Sequence, residues 1–313
     1  MHERTEAVRR WALELGFDRV GFAAAGPADP DGRLRAWLRR GFAADMSYMD
    51  RTAAEREDPR RYVEGARSVV SLAVSYFDPA AEEHAPPGGV ARYARGDDYH
   101  RRLKRKVRSL RKRIIEMAPG AKVAPTVDTS PVLEREWARR AGVAWIGKST
   151  MAISQDLGTY TFLATLVTDV ELRPDDPHPD RCGTCTACLD ACPTDAFVGP
   201  YELDARRCIT YWTVEHREAF TAETPPLHGW VAGCDVCQEV CPWNKFARPT
   251  PEPRFRARPE LATPDIVKMA ADVEHARAVV QGTALQRTGG PAMQRNSQRV
   301  LEEQRGGDGP PRP

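Results

Sequence analysis

All eight cysteines of the chain fall in one stretch, from Cys182 to Cys241. The first four are spaced Cys-x2-Cys-x2-Cys-x3-Cys and are followed by proline. The second four repeat this run with a long insertion after the first member. This spacing is typical of bacterial ferredoxins, in which each iron corner of a [4Fe–4S] cube needs one thiolate. The sequence therefore predicts two [4Fe–4S] clusters that together use every cysteine.

In such two-cluster modules the fourth cysteine of each run binds the other cluster. The first cluster is therefore predicted to be held by Cys182, Cys185, Cys188 and Cys241. The second is predicted to be held by Cys192, Cys208, Cys234 and Cys237. Zinc also binds paired Cys-x2-Cys motifs, but the tight third cysteine and the two Cys-Pro endings fit zinc poorly. Disulfides are less favoured still, because the spacing is regular and we expect no signal peptide.

Composition sets limits on the class of protein. The 313 residues suggest about two domains, and a hydrophobic content of 41% is ample for a buried core. The formal net charge is only +2, but the positive charge is concentrated in arginine-rich blocks. No apolar stretch approaches the ~18 residues that span a bilayer. We expect a cytoplasmic monomer without a membrane partner.

Helical and extended patterns alternate before the cysteines and must position whatever chemistry the chain performs. Extended segments are predicted at residues 69–76, 122–127 and 162–167, and helices near the N-terminus, at 34–38 and at 131–141. The fold class is predicted to be α+β, with an α/β three-layer N-terminal domain, a ferredoxin-like two-cluster module and a short C-terminal helical, repeat-like segment. The predicted divisions are 1–177, 178–246 and 247–305, followed by a disordered tail at 306–313.

A dense run of positive charge lies at residues 101–113, where nine of thirteen side chains are basic. Leu103, Val107, Leu110 and Ile114 fall on one face of the predicted helix, so the cations face water. Such a face indicates a polyanion partner such as nucleic acid; the alternative is a solvated helix balanced by acids elsewhere. The candidate nucleic-acid contacts are Arg101, Arg102, Lys104, Arg105, Arg108, Arg111 and Lys112.

Asp128 is the candidate acid. It ends the predicted strand at 122–127 and precedes Thr129-Ser130-Pro131, where proline suits the first turn of a helix. Asp128 could simply cap that helix. However, Ser130 stands immediately before Pro131 and is expected to fill the cap role, which leaves the Asp128 carboxyl free to face a cavity.

The residues alone leave the electron acceptor open, because no dinucleotide-binding glycine motif, Walker loop or corrinoid Asp-x-His-x-x-Gly motif is found. Several motifs nevertheless occur in one order that resembles the epoxyqueuosine reductase family. These motifs are the segments 91–100, 125–135 and 142–150, the two cysteine runs with the distant Cys208, the segment 282–287 and the pair Arg295-Asn296.

The resemblance implies a specific reaction. The expected substrate is a tRNA carrying epoxyqueuosine at the wobble position, and the expected product is queuosine. An external one-electron donor would feed the two clusters, which would pass electrons to a base-off cobalamin. Asp128 matches the family's proton donor, and for that task its pKa should be raised by an enclosed apolar site.

The chemistry of individual side chains suggests contacts for such a cofactor and for the RNA. Besides Asp128, the expected cobalamin contacts are Arg51, Lys148, Ser149, Ser154, Gln155, Asp235 and Val236. The last two lie inside the second Cys-x-x-Cys motif and are expected at the surface between cluster and corrin. The alternatives are an ordinary surface turn at 145–150 and a solvated Arg51. Tyr211 and Trp212 could stack an exposed base, or could instead pack over the cluster. Arg287 and Arg295 are expected to contact phosphates.

Two other functions stay open at this point. A corrinoid reductive dehalogenase would use the same cofactors but would not need the basic helix. A ferredoxin-type electron-transfer protein would need only the cysteine module, and would leave the N-terminal domain and Asp128 without a role.

Overall fold

A computed structural model describes residues 1–80 and 88–306 of the chain. The predicted disordered tail therefore lies outside the described residues, apart from Gly306. Among the described residues, no helix combines the length and the apolar character needed to cross a membrane.

The strands belong to one main sheet and to three small two-stranded pairs. Their bounds are β1 Arg19–Ala24, β2 Ser68–Ser75, β3 Gly89–Val90, β4 Val123–Thr126, β5 Trp145–Ile146, β6 Ala152–Ile153, β7 Thr161–Thr168, β8 Phe197–Gly199, β9 Glu202–Leu203 and β10 Trp230–Ala232. The main sheet has the order β1-β2-β7-β4, and every neighbouring pair in it is antiparallel.

The helices are short apart from three. Their bounds are α1 His2–Glu14, α2 Arg33–Arg39, α3 Tyr48–Arg51, α4 Ala53–Glu57, α5 Pro59–Tyr62, α6 Tyr99–Met117, α7 Glu134–Arg140, α8 Ala187–Asp190, α9 Val236–Glu239, α10 Pro259–Ala262, α11 Ile266–Ala271, α12 Val273–Val280 and α13 Gly289–Arg305. Short 3₁₀ turns include Ala284–Arg287, and Tyr211–Glu215 forms a π-helical turn.

Helices pack on both faces of the main sheet. One apolar cluster joins α1 and α6 to one face, and it includes the four predicted stripe residues of α6, all at most 1% exposed. A second cluster joins Trp137 and Ala138 of α7 to the opposite face, against Val69 and Ala73 of β2. The prediction of a mixed helix-and-sheet fold is confirmed.

Two local predictions differ from the structure. Strand β1 was not predicted, because Gly21 interrupts its apolar run. A Cβ at Gly21 would lie only 1.9 Å from the carbonyl oxygen of Ala141, so the close approach of this chain segment requires glycine. The helix predicted at 131–141 begins only at Glu134, with Leu133 at its N-cap position. Ser130 therefore does not cap it.

The C-terminal helices share a core with the insertion in the second cysteine run. Ile209, Trp230 and Val231 pack in one apolar cluster with Met269 of α11 and Met293 of α13. Strand β10 of the same insertion pairs in parallel with β3. This packing crosses the division predicted near residue 246, and the proposed domain bounds stay a prediction.

Candidate functional site

Asp128 lies in a sharp turn directly after β4. Its backbone has φ of 56°, in the left-handed region that residues other than glycine seldom adopt. The Glu134 side chain stabilises this turn, because its Oε2 accepts the Asp128 N–H at 3.0 Å and its Oε1 accepts the Thr126 hydroxyl at 3.3 Å. A strained conformation held by neighbours in this way is typical of functional positions.

His100 lies between two carboxylates. Its Nε2 is 3.1 Å from Oδ2 of Asp128, and its Nδ1 is 2.8 Å from Oδ1 of Asp98. Asp98 is the N-cap of α6 and also accepts the backbone N–H of His100 at 2.9 Å. The His100 side chain is 13% exposed, whereas that of Asp128 is 52% exposed. The helix start therefore fixes the imidazole behind a carboxylate that is open to solvent.

The electrostatics correct one prediction. Burial raises the pKa of Asp128, but the hydrogen bond from His100 and the charges of His100, Arg287 and Arg135 outweigh it, so the pKa is lowered. The carboxyl group with a raised pKa is that of Glu134, where burial and the nearby Asp128 raise the pKa to about 8. For His100, burial lowers the pKa, yet the hydrogen bonds to Asp128 and Asp98 raise it to about 8. Neighbouring cations, not an enclosed apolar site, therefore set the direction of the Asp128 pKa shift.

Side chains from distant parts of the chain surround Asp128. Burial raises the pKa of Tyr48 in α3 and of Tyr93, and Glu215, Arg287 and Asp128 act on both. Arg287 forms an ion pair with Glu215, with Nη1 3.2 Å from Oε2. Residues from the N-terminal and C-terminal parts of the chain therefore both contribute charged groups around Asp128. Sequence reasoning found Asp128 and Arg287 but missed His100, Glu134 and Glu215.

The structure gathers the cysteines of the first set. Burial raises the pKa of Cys188, and the neighbouring thiols of Cys182 and Cys185 add to this effect. Burial and the thiols of the same three cysteines raise the pKa of Cys241 to about 11. Cys241 is thus close enough to interact with cysteines that precede it by more than 50 positions.

The second set is more deeply placed. Burial raises the pKa of Cys208, Cys234 and Cys237; Cys192 adds to the shift of Cys208, and Cys208 adds to those of the other two. The part of the chain that the structure describes has no three His, Cys, Asp or Glu side chains arranged to hold a single metal ion. The assignment of ligands to two clusters stays a prediction.

Two of the predicted cofactor contacts bind the protein itself. The Lys148 ammonium group donates to the carbonyl oxygens of Gly183 and Cys185, at 2.7 and 2.8 Å, and so supports the first cysteine loop. Ser154 is buried, and its Oγ lies 3.3 Å from Oδ1 of Asp156. The other polar candidates differ in exposure: Ser149 is buried, whereas Arg51 and Gln155 are exposed.

Asp235 is not at the surface, which corrects the prediction for this residue. Its side chain is fully buried; Oδ2 accepts the backbone N–H of Arg92 at 2.6 Å and Oδ1 accepts the Gln238 side-chain amide at 3.0 Å. The Tyr76 hydroxyl donates to Oε1 of Gln238 at 3.2 Å. Asp235 therefore joins the second cysteine loop to the N-terminal domain. The adjacent Val236 is partly exposed and begins α9.

The basic helix α6 presents most of its cations to solvent, as predicted. Arg101, Arg105, Arg108, Arg111 and Lys112 are exposed. Within the described chain, Arg105 and Arg108 form no ion pair, whereas the other candidates have protein partners. These partners are Asp98 and Gln286 for Arg101, Asp97 for Arg102, Thr129 for Lys104, the Val123 carbonyl for Arg111 and Glu116 for Lys112.

Three predicted RNA contacts are structural instead. Tyr211 and Trp212 are 6% and 9% exposed and pack in the apolar cluster of the C-terminal helices, so neither ring is free to stack on a base. Arg295 donates to the carbonyl oxygens of Trp212 and His216 at 3.0 and 3.3 Å. Its guanidinium group therefore holds the π-helical turn in place. Tyr211 and Trp212 therefore pack in the core, which was the alternative to base stacking.

Comparison with known proteins gives one consistent result. Residues 181–244 match the family described as "4Fe-4S double cluster binding domain", and residues 56–129 match "Epoxyqueuosine reductase QueG, DUF1730". The epoxyqueuosine reductase of Leadbetterella byssophila is 41% identical over 84% of this chain and 87% of its own length. That of Cyclobacterium marinum is 38% identical over 97% of this chain and 98% of its own.

Solved structures agree. A crystal structure of an epoxyqueuosine reductase with an epoxyqueuosine-modified tRNA-Tyr stem loop superposes with a TM-score of 0.86. It is 28% identical to this chain and covers 96% of it, and 81% of that structure is matched. A second epoxyqueuosine reductase, from Streptococcus thermophilus, superposes with a TM-score of 0.83 at 27% identity, over 95% of this chain and 80% of that one.

Proposed function

The chain belongs to the epoxyqueuosine reductase family of oxidoreductases, and we propose that it reduces epoxyqueuosine to queuosine at the wobble position of tRNA. The observation that carries the proposal is the group of charged side chains around Asp128. An open carboxylate on a strained turn is joined there by cations from both ends of a chain that also contains an eight-cysteine module. We further propose that the enzyme acts as a cytoplasmic monomer and takes electrons from an external one-electron donor.

Asp128 is proposed to protonate the epoxide oxygen. Removal of that oxygen as water needs two electrons and two protons, so an acid must stand at the reacting group. The lowered pKa means that Asp128 is a carboxylate before the substrate binds. We propose that the proton reaches it from His100, whose ring nitrogen lies 3.1 Å away.

Exposed hydrogen-bond donors on the protein surface fit a corrinoid. The rim of a corrin carries amide groups, which bind N–H and O–H donors, and Tyr48, Arg51 and Gln155 offer such groups at the surface. We propose that these three residues, with Ser149 and Val236, contact a base-off cobalamin. When bound, the two [4Fe–4S] clusters and the cobalamin supply single electrons and a cobalt centre able to reduce the epoxide.

The RNA is proposed to bind along α6, with Arg105 and Arg108 as phosphate contacts and Arg287 nearest to the reacting nucleotide. Replacing both Arg105 and Arg108 by Glu should weaken binding of an anticodon stem-loop at least about tenfold and lower the salt dependence by about two counterions. The matched control is Arg33→Glu, since Arg33 is 80% exposed on α2. Unchanged affinity in the double variant would mean that the cations of α6 are only solvated and do not bind the RNA.

The proposed function is tested by anaerobic turnover of a stem-loop that carries epoxyqueuosine, with a chemical reductant and with or without added cobalamin. We expect queuosine to form only when cobalamin is present and the protein contains both clusters. Iron and sulfide are measured on the same preparation, so that a poorly loaded sample is recognised. A fully loaded sample that forms no queuosine would contradict the proposal.

A further inference from the structure

We infer that the Asp98–His100 pair at the start of α6 supplies protons to Asp128, so that one open carboxylate can deliver both protons that the reaction consumes. This inference rests on the proposed function, and deepens it by assigning a role to His100 and Asp98. His100 is mostly buried and faces the Asp128 carboxylate, so it is a positioning residue that acts through Asp128.

The geometry sets where the shared proton can be. Both ring nitrogens of His100 lie within hydrogen-bond distance of a carboxylate oxygen, at 2.8 Å from Asp98 and 3.1 Å from Asp128. A carboxylate only accepts hydrogen bonds, so both contacts form together when the ring carries two protons. If the proton between Nε2 and Oδ2 moves to Asp128, the imidazole becomes neutral and keeps its bond to Asp98. One short transfer therefore turns Asp128 into an acid.

Burial separates the source of the proton from its destination. The His100 and Asp98 side chains are 13% and 16% exposed, whereas that of Asp128 is 52% exposed. Tyr99 stacks on the imidazole with ring centroids 4.0 Å apart. The stacked ring and the N-cap bond hold His100 behind Asp128, so the open side of the carboxylate is the side that a substrate can reach.

The stoichiometry requires a second proton. Both carbon–oxygen bonds of the epoxide break, a carbon–carbon double bond forms, and the oxygen leaves as water with two protons and two electrons. The electrons come one at a time from the external donor through the clusters. Asp128 can carry one proton at a time, so it must be recharged between the two transfers. In the described chain, His100 is the titratable side chain within hydrogen-bond distance of the Asp128 carboxylate, whereas Glu134 contacts the Asp128 backbone, and His100 is itself held by a second carboxylate.

Other charged groups set the balance between the two protonation states. Arg135 and Arg287 favour the Asp128 carboxylate, and so keep the proton on His100 until negative charge develops on the epoxide oxygen. The groups that act on Asp128 or His100 from the surrounding elements are Tyr48, Arg56, Tyr93, Tyr99, Glu134, Arg135 and Arg287. Because the pair must hold its proton, turnover should fall as the pH rises through about 8.

The test compares His100→Gln with the wild-type enzyme across pH, under saturating stem-loop. We expect kcat to fall about 100-fold or more in the variant, and the alkaline decline near pH 8 to become smaller, the remainder being due to Glu134, whose pKa is also about 8. Asp98→Asn keeps a helix-capping side chain but removes the charge, and should move the decline to lower pH. His2→Gln, on the exposed start of α1, should leave both rate and profile unchanged. A full rate and an unaltered decline in His100→Gln would overturn the inference.

A second readout needs no turnover. In the oxidised wild-type protein, labelled with ¹⁵N-histidine, the His100 ring nitrogens are identified by their loss in His100→Gln. We expect the His100 pKa to fall in Asp128→Asn, because one anionic partner is lost; an unchanged pKa would contradict the coupling. If the wild-type enzyme forms no queuosine although this coupling is present, the result contradicts the proposed reaction but not the proton coupling between His100 and Asp128.

Discussion

Two aspartates, Asp128 and Asp235, were both expected beside the cofactor, and the structure treats them in opposite ways. Asp128 is half exposed, and the hydrogen bond from His100 together with the charges of His100, Arg287 and Arg135 outweighs burial and lowers its pKa. Asp235 is fully buried, accepts a backbone N–H and a side-chain amide, and has a raised pKa because of burial. The exposed carboxylate of Asp128, with its cationic neighbours, can exchange protons. The buried carboxylate of Asp235, with its neutral hydrogen-bond donors, joins segments of the chain.

The largest expected effect is at Asp128. Asp128→Asn should lower kcat by about 1,000-fold or more, because the amide cannot carry the proton to the epoxide oxygen. The absorbance of the clusters should stay near the wild-type value, and the free energy of unfolding should fall by no more than about 2 kcal/mol, the limit set by the coupling to His100. A variant that keeps more than a tenth of the wild-type kcat would remove Asp128 from proton transfer.

The same substitution at Asp235 should have the opposite profile. In Asp235→Asn, the new NH₂ group must face either the Arg92 N–H or the Gln238 amide, so one buried donor loses its acceptor. We expect the free energy of unfolding to fall by about 1–3 kcal/mol, with partial loss of iron from the second cysteine set. Activity per intact cluster pair should be retained. A catalytic defect at full iron content would break the contrast between the two aspartates.

The charge state of His100 should make stability depend on pH. Its pKa is raised from 6.5 to about 8 in the folded chain, so the folded state binds the proton more tightly than the unfolded state. This contribution is fully present below pH 6.5 and is lost as the pH rises through 8; it amounts to at most about 2 kcal/mol. Urea unfolding at pH 6 and pH 9 should show a smaller loss in His100→Gln than in the wild type, because Glu134, whose pKa is also about 8, contributes the same loss to both proteins. Equal pH dependence in both proteins would contradict the prediction.

The smallest expected effect is at Glu134. Its pKa of about 8 makes it neutral at pH 7, like glutamine, so Glu134→Gln should change kcat by less than about fivefold at that pH. Above pH 8 the wild-type side chain ionises next to Asp128 and the variant does not, so the two rates should diverge. A large defect at pH 7 would mean that Glu134 acts as a charged group.

Local patterns in the sequence predicted much of the scaffold. The stripe of α6, the strands at β2, β4 and β7, and the position of Asp128 at the end of β4 all follow from spacing within a short window. The cysteine spacing indicated which thiols should meet, and those of Cys182, Cys188 and Cys241 are close enough to interact. These features depend on the spacing of apolar residues and cysteines within short stretches of the sequence.

What could not be predicted depends on contacts between distant residues. His100 and Asp128 are 28 positions apart, and Asp235 meets Arg92 across 143 positions. Arg295 was expected to bind phosphate because of its charge, but carbonyl oxygens of the π-helical turn already bind its guanidinium group. The signal that could have indicated His100 is its place two residues after an aspartate at a helix start, where the capping carboxylate can also reach the ring.

The most direct test of the account is a single turnover in which both clusters are reduced before an epoxyqueuosine stem-loop is added, with cobalamin bound. This design separates proton delivery from electron supply, because every sample starts with the same electrons. We predict that the wild-type enzyme and Asp235→Asn, per intact cluster pair, form queuosine and reoxidise their clusters, while Asp128→Asn keeps its clusters reduced and its substrate intact. Queuosine formation by Asp128→Asn at the wild-type rate would contradict the account.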